Sequence, residues 1–325
     1  MASREESEQA ETVRSAARSK GRAFSRPQNA REHHPDELPV IDAEQLMVIG
    51  VLAEGGIGRV VHGYDTRYRR HVAIKQVRDA TTPRAEARLL REARLPARIA
   101  HPGIVEIFGV GRWPDGDAFY VMRMIHGQSL GQVLESHPDA AERQRLVLQV
   151  LAVTDAIGHA HAQRIIHRDL KPDNILVSNR GQAIVIDWGL AKDLAAEHDD
   201  GESGVYRADD PRLTCDGQIV GTPAYMPPEQ ARGDRVDARA DVYALGAVLL
   251  HVLSGAPPYT APTSREVIEQ VLAGPPAALA GLRWPPAPRL CEVVARAMDR
   301  DPERRFADAR DLAAAIRIAL DLSLP

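Results

Sequence analysis

Strand-type and helix-type periodicity are segregated along this chain, and that segregation limits the folds open to it. From Gln45 to Val77 there are three short β-type runs, Leu46–Leu52, Arg59–Tyr64 and His71–Val77, parted by turns at Glu54–Gly58 and Asp65–Arg69. A helix signal follows, with Thr82 as N-cap, Pro83 at the first helical position and Ala85, Leu89, Leu90 and Ala93 at helical spacing. Pro96 predicts a bend or frayed turn at the end of that helix, because it cannot donate to the carbonyl of Glu92. Two more strands are predicted around Val105–Val110 and Phe119–Met124. Beyond Gly127 the pattern turns helical, with Arg143–Ala162 the longest amphipathic stretch. Only a β-like pair, Ile175–Val177 and Ala183–Ile186, and a polar run from Lys192 to Gly221 interrupt it. The last hundred residues read as helices broken by proline-rich loops. The fold class is α+β: a small antiparallel sheet with one key helix (about 45–125), then a larger helical lobe (about 126–319).

Composition excludes several other classes. Forty-one basic against 45 acidic residues give a net charge of −4, which argues against a dedicated nucleic-acid binder. The apolar run Val242–Leu253 is too short to span a membrane and reads as a buried central helix. The start of the chain, with Arg4, Glu5 and Glu6, has no apolar signal region, so a cytoplasmic protein without a membrane segment is expected. Two cysteines, Cys215 and Cys291, make neither a disulfide framework nor a four-ligand zinc site; Cys291 is expected in a helix core. Residues 1–40 intersperse seven basic and seven acidic residues with few apolar ones and are expected to form a disordered tail. Residues 320–325 form a short C-terminal end.

Lysine usage is selective. Only Lys20, Lys75, Lys171 and Lys192 stand against 37 Arg, so a surviving Lys marks either chance or a place where a compact ammonium is needed. Lys75 ends Val72-Ala73-Ile74-Lys75 on a strand, where a charge facing a core must be met; Glu92 on the predicted helix is the natural partner. An edge-strand Lys facing water is the plainer reading. Leu52-Ala53-Glu54-Gly55-Gly56-Ile57-Gly58-Arg59-Val60 is a glycine-rich turn between strands, where Gly55 and Gly58 let backbone amides approach an anion. Taken alone, such a hairpin is commonly just a turn. His167-Arg168-Asp169-Leu170-Lys171-Pro172-Asp173-Asn174 gathers an acid, an amide and a Lys on one loop, and Asp187-Trp188-Gly189 adds a carboxylate at a strand end. Asn174 and Asp187 offer oxygen ligands suited to Mg²⁺.

In this order and spacing, the motifs resemble those of the eukaryotic-type serine/threonine protein kinases, including their bacterial members, over roughly Leu46–Ile318. The resemblance implies the two-lobed protein-kinase fold with ATP and Mg²⁺ as cofactors. Lys75, paired to Glu92, is expected on the α/β-phosphates, Asp169 on the substrate hydroxyl, Lys171 near the γ-phosphate, and Asn174 and Asp187 on the metal. ATP is expected under Leu52–Val60, against Ala73 and on Leu176. Its adenine edge should meet the carbonyl of Arg123 and the amide of Ile125, counted from Met122 as gatekeeper. Lys171 implies Ser/Thr rather than Tyr acceptors on protein substrates, and Thr222 in Gly221–Tyr225 marks the substrate-docking segment. Glu229 is expected to pair with Arg305, and Asp241 to anchor the catalytic-loop backbone. Arg168, Lys192 and Arg88 are expected to receive a phosphate on Thr214, placed by a second copy in a transient dimer or by the chain itself; Asp216 is the unmodified alternative. Departures are Ala53 for the first loop glycine, Trp188 for the usual Phe and Pro227 for the Ala of the Ala-Pro-Glu motif. None removes a charged group, so an active enzyme is expected over a catalytically weak pseudokinase that binds nucleotide or partners.

Overall fold

The structure is a computed structural model that describes residues 38–42, 44–54, 58–77, 83–196, 223–280, 282–284 and 287–322. Gly55, Gly56, Ile57, Thr214, Thr222, Cys215 and most of the expected tail lie outside the described residues. Strands β1 (Leu46–Glu54), β2 (Gly58–Asp65) and β3 (Arg70–Val77) precede helix α1 (Pro83–Ala97), and β4 (Ile107–Arg112) and β5 (Ala118–Arg123) follow it. They form one antiparallel five-stranded sheet in the order β1-β2-β3-β5-β4. Register decides the two faces of this sheet. Val60 pairs with Lys75, Ala73 with Met122 and Lys75 with Tyr120, so these five side chains share the inner face, toward α1. The opposite face carries its own apolar cluster of Leu46, Val61, Val72, Ile74, Phe119 and Val121.

Helix α1 keeps helical conformation through Pro96 and stops one residue later. Bonds from Arg98 N to the Leu95 carbonyl (3.1 Å) and from Ile99 N to the Pro96 carbonyl (2.9 Å) close it as a tight last turn. Strand β4 begins two residues later than its sequence pattern predicts. Val105 N donates instead to the Val185 carbonyl at 3.0 Å, and so belongs to the joint with the second lobe. Pro39 and Ile41 exchange backbone bonds of 2.9 Å with Arg112, so the chain is tied to β4 from within the stretch expected to be a tail.

The second lobe runs through β6 (Gly127–Ser129), α2 (Leu130–Glu135), α3 (Ala140–Ala162), β7 (Ile165–Ile166), β8 (Ile175–Ser178), β9 (Ala183–Val185) and β10 (Lys192–Asp193). Helices α4 (Pro228–Arg232), α5 (Ala238–Ser254), α6 (Ser264–Ala273), α7 (Ala277–Ala280), α8 (Pro288–Ala297) and α9 (Ala309–Ala319) complete it. Ser129 opens α2 with a reciprocal capping box to Gln132. Gly127 lets β6 approach β8, since a Cβ there would collide with the Val177 carbonyl. Helix α5 is buried along nearly its whole length, as its apolar run predicts. Cys291 on α8 is only half-buried, packed against the core from its margin rather than within it.

Two buried acids tie the helices to the loops. Arg305 donates to both oxygens of Glu229, at 2.6 and 2.8 Å, so the expected pair forms as a bidentate one. Asp241 on α5 accepts the amides of His167 (2.7 Å) and Arg168 (2.8 Å) and meets Nε2 of His161 at 2.9 Å. Burial pushes its carboxyl up, but the bond from His161, the two neighbouring histidines and the loop amides outweigh this and hold it below the usual range. A depressed carboxyl stabilises the fold above the unfolded-state value of about 3.9, and that stabilisation is lost as the pH falls through the lower folded value. Asp241→Asn leaves at least one buried amide without an acceptor and should cost about 1–3 kcal/mol at pH 7. Urea denaturation of both proteins should show that gap constant from pH 7 to 5 and closing below about pH 4.

Candidate active site

Lys75 reaches the inner face because β3 alternates, and α1 brings Glu92 to meet it two turns into the helix. Its ammonium donates to Oε1 of Glu92 and to Oδ1 of Asp187 at 3.3 Å. Tyr120 on β5 donates its hydroxyl to the same Glu92 oxygen at 2.6 Å. Burial alone would lower the Lys75 pKa, yet the carboxylates of Glu92 and Asp187 outweigh it and raise the value. Burial raises Glu92 against the pull of Lys75, and burial with the Glu92 charge raises Tyr120 further above its ordinary value. Lys75 is therefore a fixed cation at neutral pH, held between two acids.

Asp187 follows β9 in a left-handed conformation, φ 57°, which turns its carboxylate toward Lys75. Some 44% of the side chain is accessible. Burial would raise its pKa, but Lys75, His167, Lys171 and the amide of Gly189 lower it overall, so it is ionised. A Cβ on Gly189 would stand 3.2 Å from Asp187 Oδ1 and 3.4 Å from Glu92 Oε2, so glycine keeps this junction open. Trp188 is buried, with its ring centroid 4.7 Å from that of His167. Burial lowers the pKa of His167, and its Nε2 lies 3.3 Å from the Ile186 carbonyl just before Asp187.

The loop after β7 holds the second group. Asp169 Oδ2 accepts from Lys171 Nζ at 2.9 Å and from Asn174 Nδ2 at 3.0 Å, and Asn174 Nδ2 also donates to the Asp169 carbonyl at 2.8 Å. Asn174 is thus oriented by its amide nitrogen, which leaves its Oδ1 as an acceptor. Together with the ionised Asp187 it makes a hard, all-oxygen donor pair, which fits a cation that keeps waters and takes substrate phosphates. Ile186 N donates to the Asn174 carbonyl at 2.9 Å, joining the two loops.

The remaining expected residues fall into place unevenly. Ala73 is buried beside Lys75; Leu52, Ala53, Glu54 and Arg59 are exposed; Gly58, Val60, Leu176 and Ile125 are half-buried. Arg123 lies on β5 with its side chain on the outer face, because it pairs with Val72 rather than Ala73. Arg168 donates from Nε to the Leu190 carbonyl at 2.5 Å, and Lys192 pairs with Ile166 in the β7–β10 ladder, which brings both to one region. Arg88 sits half-buried on α1, one turn before Glu92. Sequence reading missed Tyr120, His161, and Gln230, whose Nε2 donates to the Arg168 carbonyl at 2.9 Å. Only strand register or tertiary packing reveals these three.

Comparison with known proteins gives the same outline. The protein kinase domain family matches residues 46–313. Serine/threonine-protein kinase PknD of Mycobacterium tuberculosis is 38% identical over 297 residues, covering 89% of this chain and 42% of its own. Serine/threonine-protein kinase PknD of Chlamydia trachomatis is 34% identical over 298 residues, covering 84% of this chain and 31% of its own. The chain therefore spans less than half the length of these curated relatives. The crystal structure of the M. tuberculosis PknI kinase domain matches with a TM-score of 0.62 at 25% identity, over 85% of this chain and 96% of that one. A two-lobed fold, a lysine met by a helix carboxylate, and a family match running through both lobes lead to one assignment: the chain belongs to the protein kinase domain family.

Proposed function

We propose that this chain transfers the γ-phosphoryl group of ATP to serine or threonine hydroxyls of protein substrates. The observation that carries the reading is the pairing of two preset groups: Lys75 held by Glu92 next to Asp187, and Asp169 held by Lys171 and Asn174. In the transfer, the acceptor oxygen forms a bond to Pγ, the bond from Pγ to the β,γ-bridging oxygen breaks, and ADP leaves. Asp169 receives the hydroxyl proton or orients it, and Lys171 offsets charge on the phosphoryl oxygens. Lys75 positions the α- and β-phosphates, and Glu92 keeps its ammonium from swinging away. Asn174 and Asp187 would hold Mg²⁺, which supplies charge neutralisation on the phosphates. Lys171 supports Ser/Thr acceptors, and the names of the relatives agree with that preference.

A radiolabelled-ATP assay on a generic basic protein substrate tests the reading, with Asp169→Asn as the inactive control. Lys75→Met and Asp187→Asn should each lower transfer by roughly 10²–10³-fold, the size of losing one preorganised charge. Lys75→Arg should be impaired to a similar degree, since a planar head misplaces both Glu92 and the phosphates. Near-normal turnover in Lys75→Arg would contradict the role given to Lys75.

Adenine is proposed to meet the Arg123 carbonyl and the Ile125 amide. Since the Arg123 side chain lies on the far face of the sheet, Arg123→Ala should leave ATP affinity within about threefold, less than 1 kcal/mol, by titration calorimetry. Loss of nucleotide binding in that folded variant would refute the placement.

Activation is proposed to run through Thr214, whose phosphate would be received by Arg168, Lys192 and Arg88. Phosphopeptide mass spectrometry of active protein should find Thr214 modified, and Thr214→Ala should transfer phosphate more slowly. An unmodified Thr214 in fully active protein would remove this switch.

A further inference from the structure

The sheet face opposite Lys75 carries cations that phosphoryl transfer does not use. Val72 pairs with Arg123 across β3 and β5, and residues two apart on a strand share a face, so Arg70, Val72 and Arg123 lie together on the outer side. Phe108 on β4 packs against the same outer cluster. Strand β5 lies between β3 and β4, yet the guanidinium carbon of Arg70 sits 3.5 Å from the centroid of the Phe108 ring. Arg70 therefore reaches across β5, over the strand that carries Arg123.

These two cations are poorly met. Nε of Arg70 and both Nε and Nη2 of Arg123 are shielded from solvent and have no hydrogen-bond acceptor among the described residues. Asp65 Oδ2 is 3.9 Å from Arg70 Nε, too far for a hydrogen bond. The other oxygen of Asp65 already accepts the amides of Arg67 (3.1 Å) and Tyr68 (3.2 Å) in the turn. Shielded guanidinium nitrogens without acceptors are costly, and an unbranched apolar side chain would fill the position of Arg123 without that cost. The surroundings add positive charge and an open ring. Arg67 and Arg69 are exposed in the β2–β3 turn, and Tyr68 is 70% accessible with its ring 5.0 Å from the Arg70 guanidinium carbon. Glu44 and Glu106 are exposed at the margins, their carbonyls taken by Thr66 Oγ1 and Arg123 N.

We propose that this outer face is a docking site for a phosphorylated protein segment, with the phosphoryl group received by Arg70 and Arg123 and an adjoining side chain laid on Tyr68. Charge complementarity selects an anion, and the unmet nitrogens select a phosphoryl group over a carboxylate. Its three terminal oxygens can serve two guanidinium groups at once, whereas the two oxygens of a carboxylate match one fork. Arg70 is the movable part: its side chain is 38% accessible, so it can swing off Phe108 to take up a phosphoryl oxygen. The proposal does not depend on phosphoryl transfer by this chain, so a binding measurement without ATP tests it separately.

The probe is a fluorescent acidic peptide unrelated to residues 209–217, synthesised with phosphothreonine or with threonine, titrated with the full chain and followed by anisotropy. Arg88→Gln, which weakens only the receiving site proposed for the Thr214 phosphate, should leave the affinity for this peptide unchanged. The phosphorylated form should bind at least about tenfold more tightly, and its affinity should fall as salt rises. Arg70→Gln and Arg123→Met should each remove at least about tenfold of that affinity. Arg70→Gln should keep its rate on a short peptide substrate. Arg123→Met should melt at a higher temperature than the parent protein, because a shielded unpaired charge is gone. Equal binding of the two peptides, binding that survives both substitutions, or a lower melting temperature in Arg123→Met would each overturn the proposal.

Discussion

The buried carboxylate of Asp241 is the constraint on which the arrangement of the loops depends. It is fully enclosed, and its bonds reach two different parts of the second lobe, the loop at His167–Arg168 and helix α3. The amides of His167 and Arg168 fix the start of the loop that carries Asp169, and His161 brings in α3. His161 in turn accepts Ala309 N on Nδ1 at 3.2 Å, which places its proton on Nε2, toward Asp241, and links the start of α9 to the same point. An enclosed charge of this kind is tolerated only where every lone pair is used. One carboxylate therefore registers three helices and a loop against one another.

That registration sustains two strained residues that the site needs. Arg168 has φ 66° and Asp187 φ 57°, a region that costs a side-chain-bearing residue about 1–3 kcal/mol. Arg168 is held there by Asp241 on its amide and by Gln230 on its carbonyl. Asp187 is held by Lys75 on one side and by the tie from Ile186 to His167 on the other. The αL turns point Asp169 and Asp187 where an extended backbone would not. Strain at the two loops is offset by packing and hydrogen bonds elsewhere in the lobe.

Much of this was legible in the sequence because the chemistry is local there. Lys75, Asp169, Lys171, Asn174 and Asp187 each sit in a short motif whose residue types and spacing are improbable together, and strand or helix periodicity places each motif. Glu92 was accessible by charge matching across elements, and the Glu229–Arg305 pair through the resemblance to the kinases. Tyr120 was not, because its role follows from pairing with Lys75 across β3 and β5, a register no periodicity gives. The β7–β10 ladder was hidden for a similar reason. Lys192 and Asp193 read as part of a polar run, and only the tertiary position of Ile165–Ile166 makes them a strand. Arg98, half a turn past Pro96, donates to Asp193 at 2.6 Å, another contact set by the fold alone.

Arg112 carries the same logic into the first lobe. Its guanidinium donates to both oxygens of Glu86 in the first turn of α1 and to the Gly116 carbonyl at 2.5 Å. Its backbone exchanges bonds with Pro39 and Ile41, and Ile41 lies where a Cβ on Gly111 would touch it at 2.9 Å. Glu86 stands six residues before Glu92, about 9 Å along a rigid helix. The Pro39–Ile41 segment is thus bonded through one residue to the start of α1. The same helix carries the carboxylate that meets Lys75. One arginine therefore joins a segment that precedes the first strand to the helix that carries Glu92.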